Sequence, residues 1–80
     1  MKVPEIKRLI ETYSLQELQK AEESLLEEMT PAIEINGVDE GEQLTHAMAA
    51  IWCKKAIEAK QISINDAVRE YTIKVRKSIN

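Results

Sequence analysis

The sequence predicts an all-α protein, a compact bundle of about four helices with one extended segment. The apolar run 47–53, Ala-Met-Ala-Ala-Ile-Trp-Cys, covers every side of a helix and therefore predicts a buried central helix. It is much shorter than the roughly 20 apolar residues that cross a bilayer. Capping patterns after Ser14, Asp39 and Ser63 predict three helix starts. Apolar residues elsewhere recur at the i, i+3, i+4 spacing of a helix face.

The first two predicted helices cover residues 4–12 and 15–29. Pro4 suits a first helical position, and Ile6, Leu9 and Ile10 follow on one face. The second helix begins after the capping box at Ser14. We expect it to end before Pro31, because the residue before a proline is disfavoured in the α conformation.

The third and fourth predicted helices cover residues 40–60 and 64–78. The third follows the N-cap residue Asp39 and contains the apolar run, so we expect the other helices to pack around it. The fourth follows Ser63.

The segment 31–38 alternates apolar and polar residues, as a strand does. No second strand is indicated elsewhere in the sequence. Two interpretations remain open. The segment is a loop that places Ile33 and Ile35 in the core, or it pairs with another copy of the chain across a two-fold axis.

The 80 residues form a single predicted domain, residues 1–80, with a core small enough to need support. A domain of this size rarely gains more than about 3–5 kcal/mol from its core alone. The single cysteine, Cys53, cannot form an internal disulfide, so we expect a homodimer. The candidate interface residues are Ile33, Ile35, Ala47, Ala50 and Trp52.

The composition excludes some partners. A net charge of −3 and a pI near 5.2 argue against general binding to nucleic acid. There is no apolar stretch of the length of a signal peptide or a membrane span, so we expect a cytoplasmic protein without membrane contacts.

The residue types that carry catalysis or bind metals do not form a site in the sequence. Glu42 and His46, four residues apart, offer two metal ligands, which are too few for a site, and we expect His46 to be partly exposed. Cys53 lies about 10 Å along the helix from His46, too far for a catalytic pair. We therefore predict no catalytic residue, no metal and no cofactor, and we expect that the protein is not an enzyme.

Four glutamates crowd the second half of the second helix, where the negative pole of the helix dipole disfavours them. They are Glu22, Glu23, Glu27 and Glu28. They form either a solvated helix face or a docking patch for an unidentified protein partner. The second interpretation gives the functional hypothesis of a non-catalytic interaction or adaptor module.

Several sequence segments, among them 39–46 and 69–72, resemble a family of short bacterial proteins of unknown function. The resemblance extends over nearly the whole chain and is carried by residues 3–7, 13–15, 39–46, 49–52, 69–72 and 75–79. Because this family has no established activity, it implies no catalytic residue. It implies a redox setting, since relatives are often encoded near thioredoxin-like and peroxiredoxin-like proteins. The alternative hypothesis is therefore a redox-linked accessory protein, although the chain lacks the Cys-x-x-Cys motif typical of that role.

Overall fold

A computed structural model describes residues 1–79 of the chain, and the side chains of residues 1–77. These residues form four helices, α1 (Val3–Thr12), α2 (Leu15–Leu26), α3 (Glu40–Lys60) and α4 (Ile64–Ile79). Residues 1–79 contain no strand. The all-α prediction is confirmed.

Helix α3 is the central element, because α1, α2 and α4 all pack against it, and α1 also contacts α4. Small residues on α3 allow close packing, since Ala47, Ala49 and Ala50 have no exposed surface. Around them lie the fully buried side chains of Ile6, Leu9 and Leu18.

The sequence predicts that the apolar run in α3 is buried on every side, and this prediction is wrong. Met48 is 48% exposed, and Trp52, one turn later, is only partly buried. Residues four apart lie on one helix face, and Thr45 and Lys55, which continue this face, are also outside the core. The run therefore leaves a strip of α3 that the other helices do not cover.

The three predicted helix starts are present, with different capping bonds. Ser14 forms a complete capping box with Glu17. Asp39 accepts a hydrogen bond from the backbone N–H of Glu42 at 2.8 Å, but the Glu42 carboxylate bonds to Val38 N–H instead of returning to Asp39. Ser63 Oγ accepts from Asp66 N–H at 3.0 Å.

The predicted end of α2 at residue 29 is wrong, because the helix ends at Leu26. The N–H of Met29 donates to the carbonyl of Ser24, and the N–H of Glu28 donates to that of Leu25, which is a Schellman ending. Glu28 has φ 59°, in the left-handed region. Glycine usually occupies this position, and its absence here hides the ending from a sequence-based prediction.

The segment that joins α2 to α3 is a loop, the first of the two interpretations. Ile35 is buried in the core, and Ile33 packs against it while partly exposed. Gly37 lies so close to the start of α3 that a Cβ there would be 2.9 Å from the backbone nitrogen of Gln43. Among the described residues, no helix is long and apolar enough to cross a membrane.

Candidate functional site

The predicted acidic patch lies at the C-terminal end of α2 and in the turn that follows. Glu23, Glu27 and Glu28 are exposed, and Glu22 is half-buried. Only Glu22 and Glu23 are helical, because α2 ends before the other two. We call this surface, with the neighbouring Leu26 and Met29, the acidic end of α2.

Two apolar side chains project from the acidic end of α2. Leu26 is 63% exposed and Met29 is 59% exposed. They lie three residues apart and on either side of the strained Glu28 position. Exposed single hydrophobic residues are common, and this pair is notable only because glutamates flank it in the sequence.

Most of the predicted dimer-interface residues lie inside the monomer. Ala47 and Ala50 are fully buried, and Ile35 is 6% exposed, so these three have no surface to offer a second copy in this fold. Ile33 and Trp52 are only partly buried and keep some surface.

A polar cluster with a buried centre, which the sequence does not predict, joins α1 to the loop before α3. Its centre is Glu5, which is 7% exposed. Arg8 donates to both carboxylate oxygens of Glu5, at 2.8 and 2.7 Å. The backbone N–H and the side-chain amide of Asn36 donate to the same carboxylate at 2.9 and 3.0 Å. We call Glu5, Arg8, Asn36 and His46 the Glu5 cluster.

His46 completes the cluster and has no exposed surface, so the expectation of a partly exposed histidine is wrong. Its Nε2 accepts a hydrogen bond from the backbone N–H of Lys2 at 2.9 Å. Its Nδ1 lies 2.8 Å from the carbonyl oxygen of Asn36. Because one partner can only donate and the other can only accept, the proton is on Nδ1.

The Glu5 cluster is suited to holding the fold and not to proton transfer. The hydrogen bonds from Arg8, together with those from Asn36, lower the pKa of Glu5 to about 2 despite its burial, so this carboxylate is a poor base. Both ring nitrogens of His46 already have partners. The recess that reaches both Glu5 and His46 is only about 80 Å³, and a wider, open recess of about 590 Å³ lies on the side of Arg8 and Asn36. A general acid or base needs an atom that is free to bond to a substrate, and the titratable atoms of Glu5 and His46 are already engaged in hydrogen bonds within the fold.

A shallow, open groove lies between α3 and α4. Its volume is about 520 Å³. It is lined by two apolar residues, one carboxylate and three lysines, namely Trp52, Ile73, Glu70, Lys60, Lys74 and Lys77. We call it the Trp52 groove.

Contacts between α3 and α4 shape the Trp52 groove. The rings of Trp52 and Tyr71 lie 5.7 Å apart at 56°, a favourable tilted geometry that fixes the indole. Lys60 forms an ion pair with Glu70 at 2.7 Å, and both side chains are largely solvated. Such a pair contributes little to stability. The three lysines outnumber the single glutamate, so the groove is basic although the chain is acidic.

Cys53 comes directly after Trp52, but its side chain is turned into the core. It has no exposed surface. Burial, together with the nearby charge of Glu70, raises the pKa of the Cys53 thiol to about 11. The thiolate is the reactive form of cysteine, so this thiol is held in its unreactive state. No group of three or more metal-ligating side chains comes together among the described residues.

The sequence carried only a weak signal for the Glu5 cluster. Glu5 precedes the core residue Ile6 and lies one turn before Arg8, so a carboxylate next to the apolar face of α1 needed a partner. Its other partner, Asn36, is 31 residues away. For the Trp52 groove, the sequence carries only an indirect signal. Met48 and Trp52 are four residues apart and therefore share one helix face, which the structure leaves partly exposed.

These features define a small helical protein with a satisfied polar core and two charged surfaces that contain apolar residues. The chain belongs to DUF6952, a family of unknown function whose sequence profile matches residues 1–80. The resemblance to a family of unknown function is thereby confirmed. No curated protein and no solved structure matches the chain.

Proposed function

We propose that this protein is a non-catalytic protein-interaction or adaptor module of the bacterial cytoplasm. The observation that supports this proposal is the position of its exposed apolar side chains. Leu26 and Met29 lie among glutamates at the acidic end of α2, and Ile73 and Trp52 lie among lysines in the Trp52 groove. Apolar anchors inside a charged rim are typical of protein-interaction surfaces.

The acidic end of α2 is the proposed docking surface for a basic partner. Helix energetics alone do not account for it, because carboxylates near a helix C-terminus are unfavourable by about 0.3–1 kcal/mol each. Glu28 adds the strain of a left-handed backbone in a residue other than glycine. These carboxylates and the left-handed backbone both destabilise the fold, and their presence on one surface fits a role in binding.

Catalysis has less support than binding. The two groups best suited to it by residue type, His46 and Cys53, are both fully buried. For the alternative of a redox-linked accessory protein, Cys53 would have to become accessible to an oxidant or to a partner thiol. The interaction proposal requires no such rearrangement.

A pull-down from native cell extract tests the proposal. One variant replaces the four glutamates of the acidic end of α2, Glu22, Glu23, Glu27 and Glu28, by Gln. We expect it to lose partners that the wild-type chain captures. Capture by the wild type should also weaken with salt, because exposed charges are screened beyond about 8 Å at physiological ionic strength.

A matched control removes the same number of charges elsewhere, by replacing Glu11, Glu34, Glu40 and Glu58 with Gln. These four side chains are exposed and lie outside the acidic end of α2. The control should capture the same partners as the wild type. An unchanged set of partners in the acidic-end variant would refute this docking surface, and loss of a partner only on Cys53→Ser would favour the redox alternative.

A further inference from the structure

We propose that the Trp52 groove of one copy binds the acidic end of α2 of a second copy, so that the protein self-associates head to tail. This inference rests on the proposed interaction function and identifies one partner as another copy of the same chain. This contact does not use Ile33, Ile35 and the alanines of α3, which the sequence suggested as the interface of a dimer. Most of those residues are buried in the monomer.

The two surfaces have opposite charge. The acidic end of α2 carries four glutamates, of which three are exposed. The Trp52 groove carries three lysines and one glutamate, with Lys60 and Glu70 paired to each other, so its lining is basic by formal charge. Complementary charge of this kind favours encounter and fixes orientation.

The two surfaces also match in their apolar parts. Leu26 and Met29 project from the acidic end of α2, whereas Trp52 and Ile73 line a recess. A recess of about 520 Å³ has room for two side chains of the size of leucine and methionine. A projecting apolar pair in a fixed aromatic recess is the arrangement of an interface centre.

The geometry requires two molecules. All residues that line the Trp52 groove belong to α3 and α4, so the acidic end of α2 does not occupy the groove of its own chain. The two surfaces are different, so each contact is heterologous. Repetition of such a contact gives a closed ring if the rotation closes, and an open chain if it does not.

The test uses purified full-length chain, with light scattering for mass and Trp52 fluorescence for the groove. Trp52 is the only tryptophan, so its emission reports on this site alone. A groove variant carries Ile73→Ser and Lys77→Glu, and an end variant carries Leu26→Ser and Glu27→Lys. All four side chains are exposed, so both variants should retain the helical circular dichroism of the wild type.

We expect the wild type to associate with rising concentration and at low salt, with a shift in Trp52 emission. Each variant alone should associate at least about tenfold more weakly. An equal mixture of the two should restore a complex of two chains, because the intact groove of one variant meets the intact acidic end of the other. A control variant with Val38→Ser and Glu58→Lys, two exposed positions outside both surfaces, should behave as the wild type.

Two results would overturn this inference. The first is a mass near 9.1 kDa for the wild type at high concentration and low salt. The second is undiminished association of both variants. Failure of the mixture to form a complex of two chains would also contradict the inference. The extract experiment separates this inference from the proposed function, because a partner captured by a chain that stays monomeric supports the function alone. Self-association without another partner supports the inference alone.

Discussion

Replacement of Glu5 by Gln should reveal how much the Glu5 cluster stabilises the fold. On folding, the pKa of Glu5 falls from 4.5 to about 2, mainly because Arg8 donates to its carboxylate, with further hydrogen bonds from Asn36. At about 1.4 kcal/mol for each pKa unit, this corresponds to at most about 3–4 kcal/mol of stability at neutral pH. Because the folded carboxylate binds its proton less readily than the unfolded one, this contribution is complete above pH 4.5 and is lost as the pH falls towards 2.

Urea unfolding of the wild type and of Glu5→Gln, at a series of pH values between 7 and 2, measures this contribution. We expect the wild type to be more stable by about 3 kcal/mol at pH 7, and the two free energies of unfolding to converge as the pH falls below 4.5. The amide introduced by Glu5→Gln can also fit less well beside Asn36, which adds a difference in the free energy of unfolding that does not depend on pH. The decisive observation is therefore that the difference between wild type and variant becomes smaller as the pH falls. Glu11→Gln, an exposed change on the same helix, serves as the control and should follow the wild type at every pH. A constant gap between wild type and Glu5→Gln across the whole range would refute the assignment.

Three further predictions concern α2 and α3. Glu28→Gly should raise the free energy of unfolding by up to about 1 kcal/mol, because it removes a left-handed strain; Glu27→Gly, which removes the same charge where φ is −91°, should lower it, and equal effects would contradict this explanation. Trp52→Ala should lower the free energy of unfolding, measured by heat or urea, by about 2–3 kcal/mol. This is less than the roughly 3–5 kcal/mol expected for a fully buried aromatic residue, because Trp52 is partly exposed. A loss below about 1 kcal/mol would mean that its contact with Tyr71 contributes nothing. Cys53 should react with a thiol reagent at neutral pH at least about 100-fold more slowly in the native chain than in urea, since burial keeps it protonated and inaccessible; fast native labelling would contradict its burial.

The helix framework could be predicted from the sequence because its signals are local. Asp39 marks the start of α3 through a bond within one turn, and the predicted bounds 40–60 agree with the structure. The end of α2 could not be predicted, because residues 27–29 are good helix formers and the left-handed Glu28 carries no sequence mark. The exposure of Met48 and Trp52 was missed for another reason. An apolar run shows which residues can be buried, but only the packing of the other helices decides which of its faces they cover.

The Glu5 cluster depends on contacts that no local pattern reports. Glu5 and Asn36 are 31 residues apart, and Lys2 and His46 are 44 apart. The side chain and the backbone of Asn36 both bond to Glu5, and nothing in the sequence around Asn36 indicates this partner. The acidic end of α2, by contrast, was visible in the sequence as a cluster of glutamates. Its apolar anchors became evident only when Leu26 and Met29 were found outside the core.

The long sequence separations within the Glu5 cluster also determine when it forms. Closing it requires α1 and α3 to be docked already and the chain to have returned through α2, and bringing such distant residues together carries an entropic cost. We therefore expect its long-range hydrogen bonds, those of Glu5 with Asn36 and of Lys2 with His46, to form late in folding, after the main helix contacts. Weakening interactions that are absent from the folding transition state mainly accelerates unfolding and leaves the folding rate almost unchanged. Loss of the Glu5 cluster should therefore shorten the lifetime of the folded chain, while the local contacts of the helices should keep its folding rate almost unchanged.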